Sequence, residues 1–185
     1  APLLKPGDPR YGESRSTLFT GYSTHTVYGQ AAADSNFKYA VYRNPIDTRL
    51  FKTRADIDFH SGLSNRGLEL FYSPDLFELY LLHMEGGGFV SLQDGGKTRE
   101  FYLTYSGSNE KPWNWISKYM IQKGLISNPS IAAQRKFLRA HPELHEEIFS
   151  TCPSYVFFRP TVEPPLGSDQ VPLTEGRSLA TDSKL

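Results

Sequence analysis

The stretch LYLLHMEGGGFVSLQDGGK, residues 79–97, decides how this chain is read. Leu79, Tyr80, Leu81 and Leu82 read as a buried strand and residues 89–92 as the next one, with Glu85 and three consecutive glycines between them. Two residues suffice for a hairpin turn, so Gly86, Gly87 and Gly88 need another reason. Glycine loses more chain entropy on folding than any other residue, so a run of it implies either unusual dihedrals or a backbone that something approaches closely. In the second case the bare amides and carbonyls would face an extended polymer lying across the strand end. A few residues on, Asp94-Gly95-Gly96 is a hairpin signal, because glycine accepts the positive φ such turns require.

Outward from that stretch the chain changes character. Before it, residues 1–16 are rich in Pro, Gly and charge and form a lead-in. STLFTGYSTHTVYG (residues 16–29) alternates in the manner of a strand or two, and FKYAVYRNP gives another, ended by Pro45. Residues 68–90 read as two strands broken at Ser73-Pro74-Asp75. After Tyr105 the period moves from two to about 3.6. Asn109 is placed to cap a helix that opens through Pro112 and closes at Gly124, a second helix runs from Asn128-Pro129 to about Ala140, and a third starts at Pro142 and ends before Pro153. SYVFFRP is a continuous apolar strand, expected to be buried on both faces. The class is mainly β with a helical block.

The bulk numbers exclude several functions. The 185 residues carry 20 basic and 20 acidic side chains, so no overall field favours nucleic acid or an anionic membrane. The single cysteine, Cys152, makes no disulfide framework and no thiolate zinc site. No phosphate-binding loop, dinucleotide fingerprint or calcium loop is present, and no apolar run is long enough to span a bilayer. Aromatic residues make up 14% of the chain. Most such rings fill a core, but a cluster of them with polar rims also suits sugars.

Of the candidate chemical groups, His141 and His145 stand four apart across a helix N-terminus, with only Glu146 and Glu147 near them. A solvated surface is the favoured reading over a metal. His25 in GYSTHT lies too close in sequence to its neighbouring hydroxyls for a nucleophile–base pair. Glu85 has two readings. At the end of an apolar strand it would be desolvated and suited to acid or base work, or it merely accepts hydrogen bonds from the adjacent glycine amides.

Several stretches taken together resemble one family. FTGY (residues 19–22), VYRNP (41–45), TRADI (53–57), MEGGG, YSGSNEKPWNWISKYMIQKG, CPSYVFFRP and VPLTEGRSLATD occur in the order found in the membrane-bound lytic transglycosylase A family. The resemblance implies a partial double-psi β-barrel, formed by residues 1–26 and by the start of its C-terminal part at 160–185. A β-rich domain with helices would be inserted at 27–159, with a glycan groove between the two. Thr20, Gly21 and Tyr22 would line one wall, and Glu85, Gly86, Gly87 and Gly88 the other. The implied activity is that of a peptidoglycan lytic transglycosylase, a lyase. An acid protonates the glycosidic oxygen after N-acetylmuramic acid, and the sugar's own 6-hydroxyl attacks the anomeric carbon to give a 1,6-anhydro product. One carboxyl group serves as acid and then as base, with no metal or cofactor.

The resemblance further implies peptidoglycan glycan strands as partner, no nucleic acid, a monomer, and export to the periplasm or outer membrane, with room for a lipid anchor that this chain does not display. Asp182 matches a barrel aspartate of the family, whereas the family's catalytic Asp falls beyond the position of Leu185. The expectation is therefore an incomplete chain, inactive alone. The alternatives are a non-catalytic glycan-binding module and an interaction protein of a cell-wall assembly. Where the family has Gln-Gly-Ser-Gly, this chain has Glu85-Gly86-Gly87-Gly88, and Trp113 and Trp115 stand where the family has other residues.

Overall fold

The structure, a computed structural model, describes residues 26–163. Six strands form one mixed sheet: β1 Thr26–Gln30, β2 Tyr39–Tyr42, β3 Glu69–Ser73, β4 Gly87–Asp94, β5 Lys97–Ser108 and β6 Val156–Thr161. Their order is β2-β3-β1-β4-β5-β6. β1 and β4 run parallel, and every other neighbouring pair is antiparallel. The two outer strands curl towards each other. The Tyr155 hydroxyl, one residue before β6, donates to the Ala40 carbonyl of β2 at 3.0 Å, and the Asn44 side-chain amide donates to the Ser106 carbonyl of β5. The sheet is thus a nearly closed barrel, and the expected mainly β fold with a helical block is borne out. The segments assigned to the double-psi barrel fall almost wholly outside the described residues.

The strands separate two apolar clusters. Val27, Val41, Phe71, Val90, Leu103 and Phe158 face one, and Ala40, Tyr42, Tyr155 and Phe157 face the other, together with Ile57 and Leu63. Phe157 and Phe158 therefore point into different cores, which is why SYVFFRP carries no polar alternation.

Among the described residues five short α-helices accompany the sheet: α1 Arg54–Asp58, α2 Leu76–Glu85, α3 Ile116–Gln122, α4 Ile131–Ala140 and α5 His145–Ser150. α2 corrects the reading of residues 79–82, which are helical and not a strand. The Asp75 carboxylate accepts from the amides of Phe77 and Glu78, and the helix ends at Gly86 with φ +73°. Residues 79–83 are all buried, so the helix packs on every side and shows no polar stripe from which a period could be read. Its signal lay in the ends: Pro74-Asp75 before, Glu78 three residues after the cap, and glycine beyond. Asn109 is a second correction, because it caps no helix. Its amide nitrogen donates to the carbonyls of Lys52 and Pro153, its oxygen accepts from the Tyr155 amide, and α3 starts only after Trp115.

The other elements follow the sequence closely. Gly95 and Gly96 take φ of +56° and +82° at the β4–β5 turn, as a tight hairpin of right-handed twist needs. Ser130 caps α4 through the Ala133 amide, and Pro142 opens the turn that leads into α5.

Candidate functional site

The glycine run sits at the junction of α2 and β4, and its positions differ in what they do. Gly86 is the left-handed residue that ends α2; its amide still reaches the Leu82 carbonyl at 3.0 Å. At Gly87 a Cβ would lie 2.5 Å from the Leu103 carbonyl oxygen, so β5 can approach only a bare backbone here. Gly88 is buried. The conformational and packing demands of the fold thus account for Gly86 and Gly87 without a ligand. Glu85, the last residue of α2, is exposed, so the desolvation expected at the end of an apolar strand is absent. The C-terminus of a helix also disfavours a carboxylate, because the unpaired carbonyls there carry partial negative charge.

From Gly87 the sheet opens a half-exposed face. β4 alternates strictly: Gly88, Val90 and Leu92 are buried, whereas Gly87, Phe89 and Ser91 are partly exposed. Cross-strand partners share a face, so the register assembles this surface row by row. Gly87 pairs with Thr104, which pairs with Arg159. Next, Thr26, Phe89, Tyr102 and Thr161 stand side by side across four strands, followed by Tyr28, Ser91 and Glu100. The Phe89 and Tyr102 rings meet edge to face, 5.2 Å between centroids, and Tyr28 is 67% exposed. Arg159 Nε donates to the Thr104 hydroxyl at 3.3 Å. Apolar ring faces beside hydroxyls and one guanidinium suit a sugar, whose C–H faces stack while its hydroxyls hydrogen-bond.

Sequence reasoning reached Glu85, Gly86, Gly87 and Gly88 but missed Phe89, Tyr102, Tyr28 and Arg159. The period-two alternation of FVSLQ and TREFYLTY already placed Phe89 and Tyr102 off the buried face; their pairing needed the register. Thr20, Gly21, Tyr22 and Asp182 lie outside the described residues. The ring nitrogens of His141 and His145 engage Glu143 Oε1 at 3.0 Å and the Leu138 carbonyl at 2.9 Å.

Behind the turn, α2 is anchored by a buried polar cluster. Arg54 of α1, fully buried, contacts His83 Nδ1 through Nη2 at 2.8 Å and Asp58 Oδ2 through Nη1 at 3.3 Å. Its guanidinium lies among the rings of Tyr80, Trp113 and Tyr155, at 5.5, 6.0 and 5.5 Å. Burial, with the Arg54 charge adding to it, holds the His83 pKa well below its ordinary value. The imidazole is therefore neutral and accepts at Nδ1. Burial also pushes the Asp58 carboxyl up to about 6, against the pull of Arg54. His83 stands two residues before Glu85, so this cluster fixes the end of α2 from which the glycines depart.

The fold and this face can be set beside known proteins. The model of the MltA family described as the MltA specific insert domain matches residues 18–159. The chain belongs to the MltA family. Among MltA relatives, the membrane-bound lytic murein transglycosylase A of Vibrio cholerae is 33% identical over 92% of this chain and 46% of its own length. The Escherichia coli K12 protein of the same name is 29% identical over 97% of this chain and 48% of its own. This chain therefore spans about half the length of the curated MltA proteins it matches. In structure, Escherichia coli MltA with bound chitohexaose superposes with a TM-score of 0.74 at 28% identity, covering 83% of this chain and 46% of that one. The lytic transglycosylase LtgG of Burkholderia pseudomallei gives 0.72 at 30%, covering 89% and 50%.

Proposed function

We propose that this chain is the glycan-holding part of a peptidoglycan lytic transglycosylase that cleaves after N-acetylmuramic acid to leave a 1,6-anhydro end. The observation that carries the reading is the half-exposed face running from Gly87 through Phe89 and Tyr102, in a chain whose family includes a protein crystallised with chitohexaose. Glu85, Gly86, Gly87 and Gly88 form one wall of the groove. Thr20, Gly21 and Tyr22 form the other, as part of a barrel lobe built from residues 1–26 and from 160 onwards around the inserted body at 27–159. The protonating acid belongs to that lobe. Asp182 is its aspartate within this chain, and the proton donor itself lies in the remainder of the barrel. The protein works as a monomer on the murein layer, in the periplasm or at the outer membrane. No helix among the described residues is long and apolar enough to cross a membrane.

In this arrangement the chain's own work is positional. Carbonyls and amides at the α2–β4 junction hydrogen-bond the sugar, Phe89 and Tyr102 offer ring edges and faces, and exposed Glu85 meets hydroxyls. Titrating the full-length protein with chitohexaose tests this. Tyr102→Ala and Phe89→Ala should each weaken binding about tenfold, the usual loss for a ring stacked on a ligand. Unchanged affinity in both variants removes the face from the site. Digestion of sacculi by the same protein reads out the reaction, and binding without anhydromuropeptide release favours the non-catalytic glycan-binding module.

A further inference from the structure

β6 stops before β5 begins. Thr161 pairs with Tyr102, so residues 97–101 of β5 have no strand beside them on that side among the described residues. At this seam lies an open cavity of about 1080 Å³. Leu70, Leu92 and Phe101 give it an apolar floor, and Arg43, Arg99 and Arg159 bring three guanidinium groups to it. Two carboxylates, Glu100 and Glu163, share the lining.

The charged groups are not matched to one another. Arg99 is paired with Asp94 at 3.2 Å, and Arg159 uses Nε on Thr104. Among the described residues, the Arg43 guanidinium and the Glu100 and Glu163 carboxylates form no ion pair or side-chain hydrogen bond, and Arg159 makes none beyond Nε. A cavity that collects unpaired charges of both signs above an apolar floor fits a ligand that also has both signs. Carboxylates would go to the guanidinium forks, an ammonium group to the glutamates, and small methyl-bearing residues to the floor. Thr104, Arg159 and Glu100 belong both to this lining and to the rows that carry the face beside Gly87, so the cavity borders the proposed glycan platform along the edge of β5.

We infer that the seam cavity binds the peptide branch of the glycan strand, a short peptide bearing carboxylates and a free ammonium group, and so selects peptide-substituted over bare glycan. The inference rests on the glycan-strand reading for the source of the peptide, but the peptide site is tested separately. The full-length protein is titrated with chitohexaose, with a peptide-bearing disaccharide and with the free branch peptide, as wild type, Arg43→Glu and Arg43→Ala. Arg43 is exposed and outside the glycan face, and a melting curve checks that both variants fold.

The expected result is that the wild type binds the peptide-bearing sugar more tightly than chitohexaose. Arg43→Glu should lose about tenfold for the peptide-bearing sugar and for the free peptide, Arg43→Ala somewhat less, and both should keep the wild-type affinity for chitohexaose. Equal affinities of the wild type for bare and substituted sugar overturn the inference. So does an Arg43→Glu loss that is the same for chitohexaose, or no loss at all. If the free peptide binds in an Arg43-dependent way while chitohexaose does not bind, the peptide site stands and the glycan reading falls.

Discussion

Arg54 and Arg43 are eleven residues apart and do opposite work. Arg54 is fully buried, its guanidinium shared between His83 and Asp58 and ringed by Tyr80, Trp113 and Tyr155. Arg43 is exposed at the rim of the seam cavity, its guanidinium without an ion pair or hydrogen bond among the described residues. A charge taken out of water must be held by fixed groups, so Arg54 binds the end of α2 to α1 and is part of the architecture. A charge left in water at a concave surface keeps its hydration until something replaces it, so Arg43 can serve a ligand. The lesson is that position in the fold, not residue type, divides structural from available cations.

The sharpest way to break this comparison is to truncate both. Arg54→Ala leaves Asp58 buried without its cation and should lower the unfolding free energy by about 3–5 kcal/mol, whereas Arg43→Ala should stay within about 0.5 kcal/mol. Urea unfolding of the two variants measures it, and similar losses would erase the distinction.

A smaller effect is expected at the turn that the Arg54 cluster supports. Gly87→Ala puts a Cβ against the Leu103 carbonyl, which is backbone and cannot swing aside, and should cost about 1–3 kcal/mol. Gly86→Ala forces an L-residue into the left-handed region and should cost about 1–2 kcal/mol. If both are tolerated without loss of stability yet weaken chitohexaose binding, the glycines serve the ligand and not the fold.

The smallest effect is the pH dependence of the buried cluster. The folded-state pKa of His83 is depressed below 6.5, so the unfolded chain takes up its proton first, and the His83 contribution is lost as pH falls below 6.5. Asp58 works in the other direction. Its folded pKa is raised from 3.8 to about 6, so its contribution is fully present below 3.8 and lost as pH rises through 6. Stability should therefore begin to fall as pH drops from 7 to 6, and below 6 the two trends should oppose each other. Asp58→Asn should steepen the acid-side decline, and His83→Gln should remove its onset; unfolding midpoints across pH 4–8 give the readout.

Much of this was legible in the residues, for reasons that were local. The Asp94-Gly95-Gly96 hairpin, the helix start near Asn128-Pro129 and the Pro142 turn announce themselves within four residues, because turn and cap chemistry is a matter of dihedrals and near neighbours. α2 was not legible by periodicity, since a helix buried all round has no polar face to mark its period, and its apolar run mimicked a strand. The Arg54–His83 contact spans 29 residues and the parallel β1–β4 pairing links Thr26 to Phe89, so neither leaves a local trace. At the candidate site the glycine run has causes within the fold, a left-handed cap at Gly86 and a close strand approach at Gly87, and both depend on contacts that the run itself does not display. The aromatic row beside it depended on register, which no single strand records.

That same row carries a consequence for how such a body joins a larger one. Thr26, where β1 starts, and Thr161, where β6 ends, occupy the same rank of the sheet with only β4 and β5 between them, which places them roughly 14 Å apart at the usual strand spacing. A segment whose two ends emerge so near each other can be spliced into a surface loop of a host without prising that host open. The same closeness should let the cassette be transplanted between scaffolds with short tethers.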